Sequence, residues 1–146
     1  METLCTIGYT KKSLRKFIQL LKSANATKVV DVRLRNTSQL AGFAKKDDLA
    51  FVLALCGIEY QHVRELAPTD ELLDEYHASR DWDKYEVAFK ALLDSRQPLQ
   101  LLLSAADGHA VVCLLCTEDQ PDRCHRRLIA EYVATRNPSL VMSHLV

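Results

Sequence analysis

The sequence is poor in chain breakers: four glycines and four prolines stand among 146 residues, and aromatic residues make up only 7%. That scarcity leaves no low-complexity segment and no linker between domains, and no internal repeat is visible. A surplus of one charge is also missing, since 19 Lys plus Arg balance 19 Asp plus Glu for a formal net charge of +0. Duplex-binding proteins gain affinity by neutralising phosphates with a basic excess, so nucleic acid as a partner finds no support in net charge. No apolar run approaches the roughly 18 residues that span a bilayer, and a membrane is not expected as a partner. The stretch Met1 to Ile7 is short and carries Glu2, unlike a signal peptide. The five cysteines (Cys5, Cys56, Cys113, Cys116, Cys124) are odd in number, which argues against a secreted disulfide framework. The cytoplasm is the expected location, and composition leaves the oligomeric state open.

What is present is ordinary for a folded chain. Hydrophobic residues reach 48%, and the length suits one domain over residues 1–146 with a core that needs no staples. Leu4 to Ile7 reads as a short strand ended by Gly8. Leu14, Phe17, Ile18 and Leu21 repeat at helical spacing and predict a helix over 12–23. Lys28 to Leu34 reads as a buried strand, and Arg35 to Ala44 as a polar loop. Asp47 to Cys56 reads as a helix stopped by Gly57, and Ile58 to Val63 as a third strand. Helices are predicted over 70–79, 83–95 and 99–106. Ala110 to Cys116 is apolar throughout, as a strand covered on both faces is. A polar loop, Thr117 to Arg123, then leads into a helix starting near Cys124, and Leu140 to His144 closes the chain as a strand. Strands alternating with helices predict an α/β fold: a mainly parallel, doubly wound sheet of about five strands with helices on both faces, three layers in all.

In such sheets ligands bind beyond the carboxyl ends of the strands. Those ends carry Tyr9, then Asp31, Arg33 and Arg35, then His62 and Arg64, then Cys116, Thr117 and Glu118 running on to Cys124, His125 and Arg126. The arginines predict a local anion site on a neutral protein. A strand, a polar loop and a helix start place free backbone N–H groups and the helix dipole together, and a thiol there is shifted toward its reactive thiolate form. Cys116, Glu118, Cys124 and His125 are thus the candidate catalytic groups. Tyr9, Asp31, Arg33, Arg64 and Arg126 are the candidate ligand-binding groups. The plainer readings are that Cys116 closes an apolar strand, that Cys124 packs beneath its helix, and that Asp31 and Arg33 form a structural ion pair. Tyr76, Trp82 and Tyr85 sit at helical spacing and read as core or helix contacts.

Cys113, Cys116, Cys124 and His125 give the spacing C-x2-C-x7-C-H. Side chains three apart on a strand point to opposite faces, so a four-ligand zinc site is not expected, and neither metal nor cofactor is predicted.

The segments Thr6-Ile-Gly-Tyr-Thr10, Asp31-Val-Arg33, Ser38 to Phe43, Gly57 to Tyr60, Leu66-Ala-Pro68, Leu115 to Glu118 and Cys124-His-Arg126 together resemble the DUF488 family of small bacterial and archaeal proteins, along nearly the whole chain. Many members have His at the position of Tyr9. The resemblance implies a fold and a site, and its name supplies no reaction. The pairing of an Asp-Val-Arg strand end with a Cys at a later strand end is also loosely rhodanese-like. The loop here is longer than a rhodanese loop, lacks glycine and contains Pro121. Cys116 and Arg123 are one residue too far apart for the Cys-x5-Arg spacing of cysteine phosphatases.

Three functions follow as expectations: an enzyme acting on a small anionic or nucleotide-like substrate, a non-catalytic domain binding a nucleotide or a nucleic-acid end, or a structural protein whose rim residues hold loops together.

Overall fold

The computed structural model describes residues 1–146. Its strands are β1 (Thr3–Gly8), β2 (Lys28–Asp31), β3 (Glu59–His62), β4 (Val111–Cys116) and β5 (Val141–Leu145). Its helices are α1 (Leu14–Ser23), α2 (Lys46–Leu55), α3 (Asp70–Ser79), α4 (Trp82–Arg96), α5 (Pro98–Ala105) and α6 (His125–Arg136). All strand pairs are parallel, in the order β3-β2-β4-β1-β5, so the α/β, doubly wound expectation holds.

The apolar pattern explains the layers. On one face of the sheet Leu4, Val30, Val112, Leu114 and Cys116 pack against Phe89, Leu93, Leu102 and Leu128 from α4, α5 and α6. On the other, Cys5, Ile7, Val29, Cys113 and Leu115 meet Phe17 and Leu21 of α1 and Leu49 and Leu53 of α2. β4 alternates between these two cores along its length, which is why it is apolar at every position. Ser13, Thr69 and Asp81 each accept a backbone N–H at a helix start, for α1, α3 and α4 respectively.

Element ends differ from the sequence expectation in places. β2 stops at Asp31, three residues short, because the Arg33 N–H turns back to the Asp31 carboxylate instead of continuing the ladder. The polar loop after it contains a 3₁₀ segment, Gln39–Ala44. Pro98 opens α5, where its missing N–H costs nothing.

The carboxyl ends of β2 and β4 are neighbours in the sheet, yet the chain leaves β2 for α2 on one face and β4 for α6 on the other. A crevice therefore opens between these two ends.

Candidate functional site

The floor of that crevice is built by the end of β4 and the start of α6. The Cys116 Sγ lies 3.5 Å from Nδ1 and 3.7 Å from Nε2 of His125, so the sulfur rests against the ring, nearly equidistant from its nitrogens. His125 Nε2 is 2.8 Å from the Val32 carbonyl oxygen. A carbonyl only accepts, so Nε2 carries the proton and Nδ1 is the free acceptor of the neutral imidazole. Phe89 meets the same ring edge-on, with centroids 5.4 Å apart, and fixes it from the core side. Cys124 joins them: the ligand atoms of Cys116, Cys124 and His125 all lie within 4.8 Å of one another, and all three residues are buried.

The two thiols are pushed in opposite directions. Burial drives Cys116 up, but hydrogen bonding from Cys124 and the Thr117 backbone, with the Arg126 charge, outweighs it and holds this thiol below its usual range. Burial together with the adjacent Cys116 pushes Cys124 well up. Cys116 is thus the more acidic thiol of the pair, and Cys124 the one that holds its proton more tightly.

A buried arginine fixes the loop over this floor. Arg126 is fully buried, and its guanidinium donates to the carbonyls of Glu118 and Asp119, to Thr6 Oγ1 at 3.3 Å and to Cys124 Sγ at 3.5 Å. The loop presses on β1 so closely that a Cβ at Gly8 would lie 1.6 Å from the Glu118 carbonyl oxygen. Thr10 Oγ1 donates to the Thr117 carbonyl at 2.6 Å, and Lys12 pairs with Asp119 at 2.9 Å.

Beside the floor, Arg33 grips Asp31 through two hydrogen bonds, Nε to Oδ1 at 2.9 Å and Nη2 to Oδ2 at 2.7 Å. The Tyr60 hydroxyl donates to the same carboxylate at 2.5 Å and the Asn36 amide at 3.2 Å. Burial pushes Asp31 up, but the Arg33 hydrogen bonds and charge, with Tyr60, hold it below the usual carboxylate range. Burial and the Asp31 charge in turn push the Tyr60 hydroxyl up, so it stays a donor. The third nitrogen of Arg33, Nη1, is buried without a partner, and the guanidinium carbon lies 5.3 Å from the centre of the Tyr9 ring.

The crevice is a cleft of about 210 Å³. Its outer wall is aromatic: the ring centroids of Tyr76, Trp82 and Tyr85 are separated by 5.1 to 5.7 Å. Its rim carries Arg33, Arg35, Arg123 and Glu118. Arg35 is tied to Asp70 at 2.8 Å and Asp74 at 2.9 Å, whereas Arg123 is exposed and makes no ion pair or side-chain hydrogen bond.

The profile of the family described as "Domain of unknown function DUF488" matches residues 13–133. The chain belongs to the DUF488 family. No match was found among curated proteins or among solved structures.

In this DUF488 chain the four candidate catalytic residues, Cys116, Glu118, Cys124 and His125, all line the cleft. Of the five candidate ligand-binding residues only Arg33 does. Asp31 and Tyr9 stand behind Arg33, touching it rather than the cleft. Arg126, expected to meet an anion, is engaged instead by backbone carbonyls and a hydroxyl. Arg64 is exposed on a neighbouring groove with Glu65, Asp70 and Arg96. The cationic surplus expected at the rim is largely cancelled by Asp31, Asp70 and Asp74. Sequence reasoning set Arg123 aside because its spacing from Cys116 does not fit a phosphatase loop, and took Tyr76, Trp82 and Tyr85 for core or helix contacts. Their spacing shows one helical face but not that part of it borders a cleft.

As for metal, Cys113 packs into the opposite core from Cys116, the separation that strand geometry requires. The remaining trio has a suitable donor set, but the Nδ1 lone pair is not directed at the Cys116 sulfur, which lies against the ring.

Proposed function

We propose that this DUF488 domain is a cysteine-dependent enzyme acting on a small substrate that carries one anionic group and a flat, nucleotide-like or otherwise apolar portion. The observation that carries this reading is the Cys116 sulfur, shifted toward thiolate and resting against an imidazole at the floor of a cleft. A nucleophile, a base and a group orienting the base form the usual constellation for covalent catalysis, and Cys116, His125 and the Val32 carbonyl fill those places. His125 Nδ1, the free acceptor of the ring, exchanges a proton with the substrate and not with Cys116, whose sulfur lies against the ring, and Glu118, exposed on the cleft wall, is the second group suited to proton transfer. Arg123 and the unpartnered Nη1 of Arg33 are the groups left to bind an anion. The volume of about 210 Å³ falls below the roughly 300–1,000 Å³ of pockets for drug-sized ligands, which favours a small substrate. A non-catalytic domain for a nucleotide or nucleic-acid end would draw on the same arginines. With Arg33 held by Asp31 and Arg35 by Asp70 and Asp74, that reading has less to stand on.

Alkylation tests the proposal. Iodoacetamide at neutral pH is expected to modify Cys116 at least tenfold faster than the half-buried Cys56, and iodoacetate is expected to gain further on it through the rim arginines. Slow, equal labelling of the two residues would remove the nucleophile.

A further inference from the structure

The floor of the cleft holds a second thiol that hydrolysis of an acyl or phosphoryl intermediate would not use. Cys5 and Cys113 pack in the core on the far side of the sheet, whereas Cys124 lines the cleft beside Cys116 and His125. Its sulfur lies 3.5 Å from the Arg126 guanidinium, which can support a developing thiolate. A disulfide bond is about 2.05 Å long, so two sulfurs within 4.8 Å of each other are joined by modest side-chain rotation.

We propose that Cys116 and Cys124 work as a pair, that the substrate of the Cys116 nucleophile is a low-molecular-weight disulfide bearing a carboxylate, and that Cys124 resolves the mixed disulfide formed on Cys116. This rests on the nucleophile reading above and adds to it the substrate class and the role of Cys124. The Cys116 thiolate attacks one sulfur of R–S–S–R′; that S–S bond breaks and R′–S⁻ departs. Cys124 then gives its proton to His125 Nδ1 and attacks Cys116 Sγ. The bond from Cys116 to S–R breaks, and R–S⁻ leaves with the proton held by His125. The substrate has gained two electrons, and the protein has lost them as a Cys116–Cys124 disulfide. An external dithiol reduces that disulfide and is itself oxidised, which closes the cycle.

The surroundings suit this order of events. Once Cys116 is capped by S–R, its thiolate charge no longer opposes ionisation of Cys124, while His125 and Arg126 still favour it. The aromatic wall of Tyr76, Trp82 and Tyr85 offers rings against which sulfur packs favourably. A cleft of about 210 Å³ exceeds what a hydroperoxide, the other common oxidant of such pairs, would need.

The test uses dithiobis(nitrobenzoate), an aromatic disulfide with carboxylates, on the reduced full chain carrying Cys56→Ser. Rapid release of two equivalents of nitrothiobenzoate is expected, with no reagent retained and a Cys116–Cys124 cross-linked peptide found by mass spectrometry. With Cys124→Ser added, one equivalent is expected, and the reagent stays on Cys116. If the parent protein itself keeps the reagent on Cys116 after one equivalent, the resolving role of Cys124 is overturned and the nucleophile stands. If Cys116 does not react, both readings fall. Should Cys124→Ser not fold, the peptide map of the parent decides alone.

Discussion

Asp31 has no exposed surface, yet it stays ionised because Arg33, Tyr60 and Asn36 all donate to its two oxygens. Removing one charge from a buried pair strands the other, at a cost of about 3–5 kcal/mol. Asp31→Asn is therefore expected to lower the unfolding free energy by that amount in a urea titration. The pH dependence has a definite sign. The folded-state value of Asp31 lies below the usual one, so its contribution is fully present above the unfolded value of about 3.9 and is lost as pH falls through the folded value. Acid unfolding of the wild type should steepen in that range, and Asp31→Asn should flatten it. At this scale the sequence was informative about pairs two apart on one strand, and Asp31 with Arg33 was legible. Tyr60 was not, because its approach to Asp31 depends on β3 lying beside β2, and no local pattern specifies that pairing.

At the scale of elements, the loop from Thr117 to Cys124 is held by what surrounds it more than by its own residues. Gly8 lets it approach, Thr10 and Lys12 bind its first half, and Arg126 reaches back from α6 to its carbonyls. Gly8→Ala puts a methyl group where the Glu118 carbonyl lies, so the loop must move outward. Overpacking of this kind costs about 1–3 kcal/mol. The displaced loop also takes the Thr117 N–H away from Cys116, and that N–H is one of the groups keeping this thiol low. The variant is expected to melt at lower temperature, and the pH profile of Cys116 alkylation should shift upward. An unchanged profile would show that the loop does not set the thiol. The sequence marked this loop and its flanking strand and helix, since an apolar strand followed by polar residues and a fresh helical period is distinctive. It misjudged Arg126, because an arginine beside a catalytic-type Cys-His pair looks the same whether its guanidinium faces a ligand or the backbone of its own loop.

For the molecule as a whole, the position of the cleft follows from sheet order. The junction of β4 with β1 is filled where Gly8 meets Glu118, and the junction of β3 with β2 is capped where the His62 ring meets the Arg33 carbonyl at 2.7 Å. The gap between β2 and β4 stays open on this rim, and α3 and α4 roof it with aromatic rings. Alternating strands and helices made the parallel layers legible; the order β3-β2-β4-β1-β5 was not, because register and neighbour choice are settled by packing across the whole sheet. That roof supplies a direct probe. The chain has one tryptophan, and Trp82 lines the cleft stacked on Tyr85 at 5.2 Å. A small aromatic carboxylate entering the cleft should therefore change the intrinsic fluorescence in a saturable way, and the change should vanish once Cys116 has been alkylated with a bulky reagent. Arg123→Ala should weaken that binding only about two- to fivefold, because an exposed arginine contributes little in water, and the loss should shrink further in high salt. A saturable signal that survives alkylation of Cys116 would place the bound carboxylate outside the cleft.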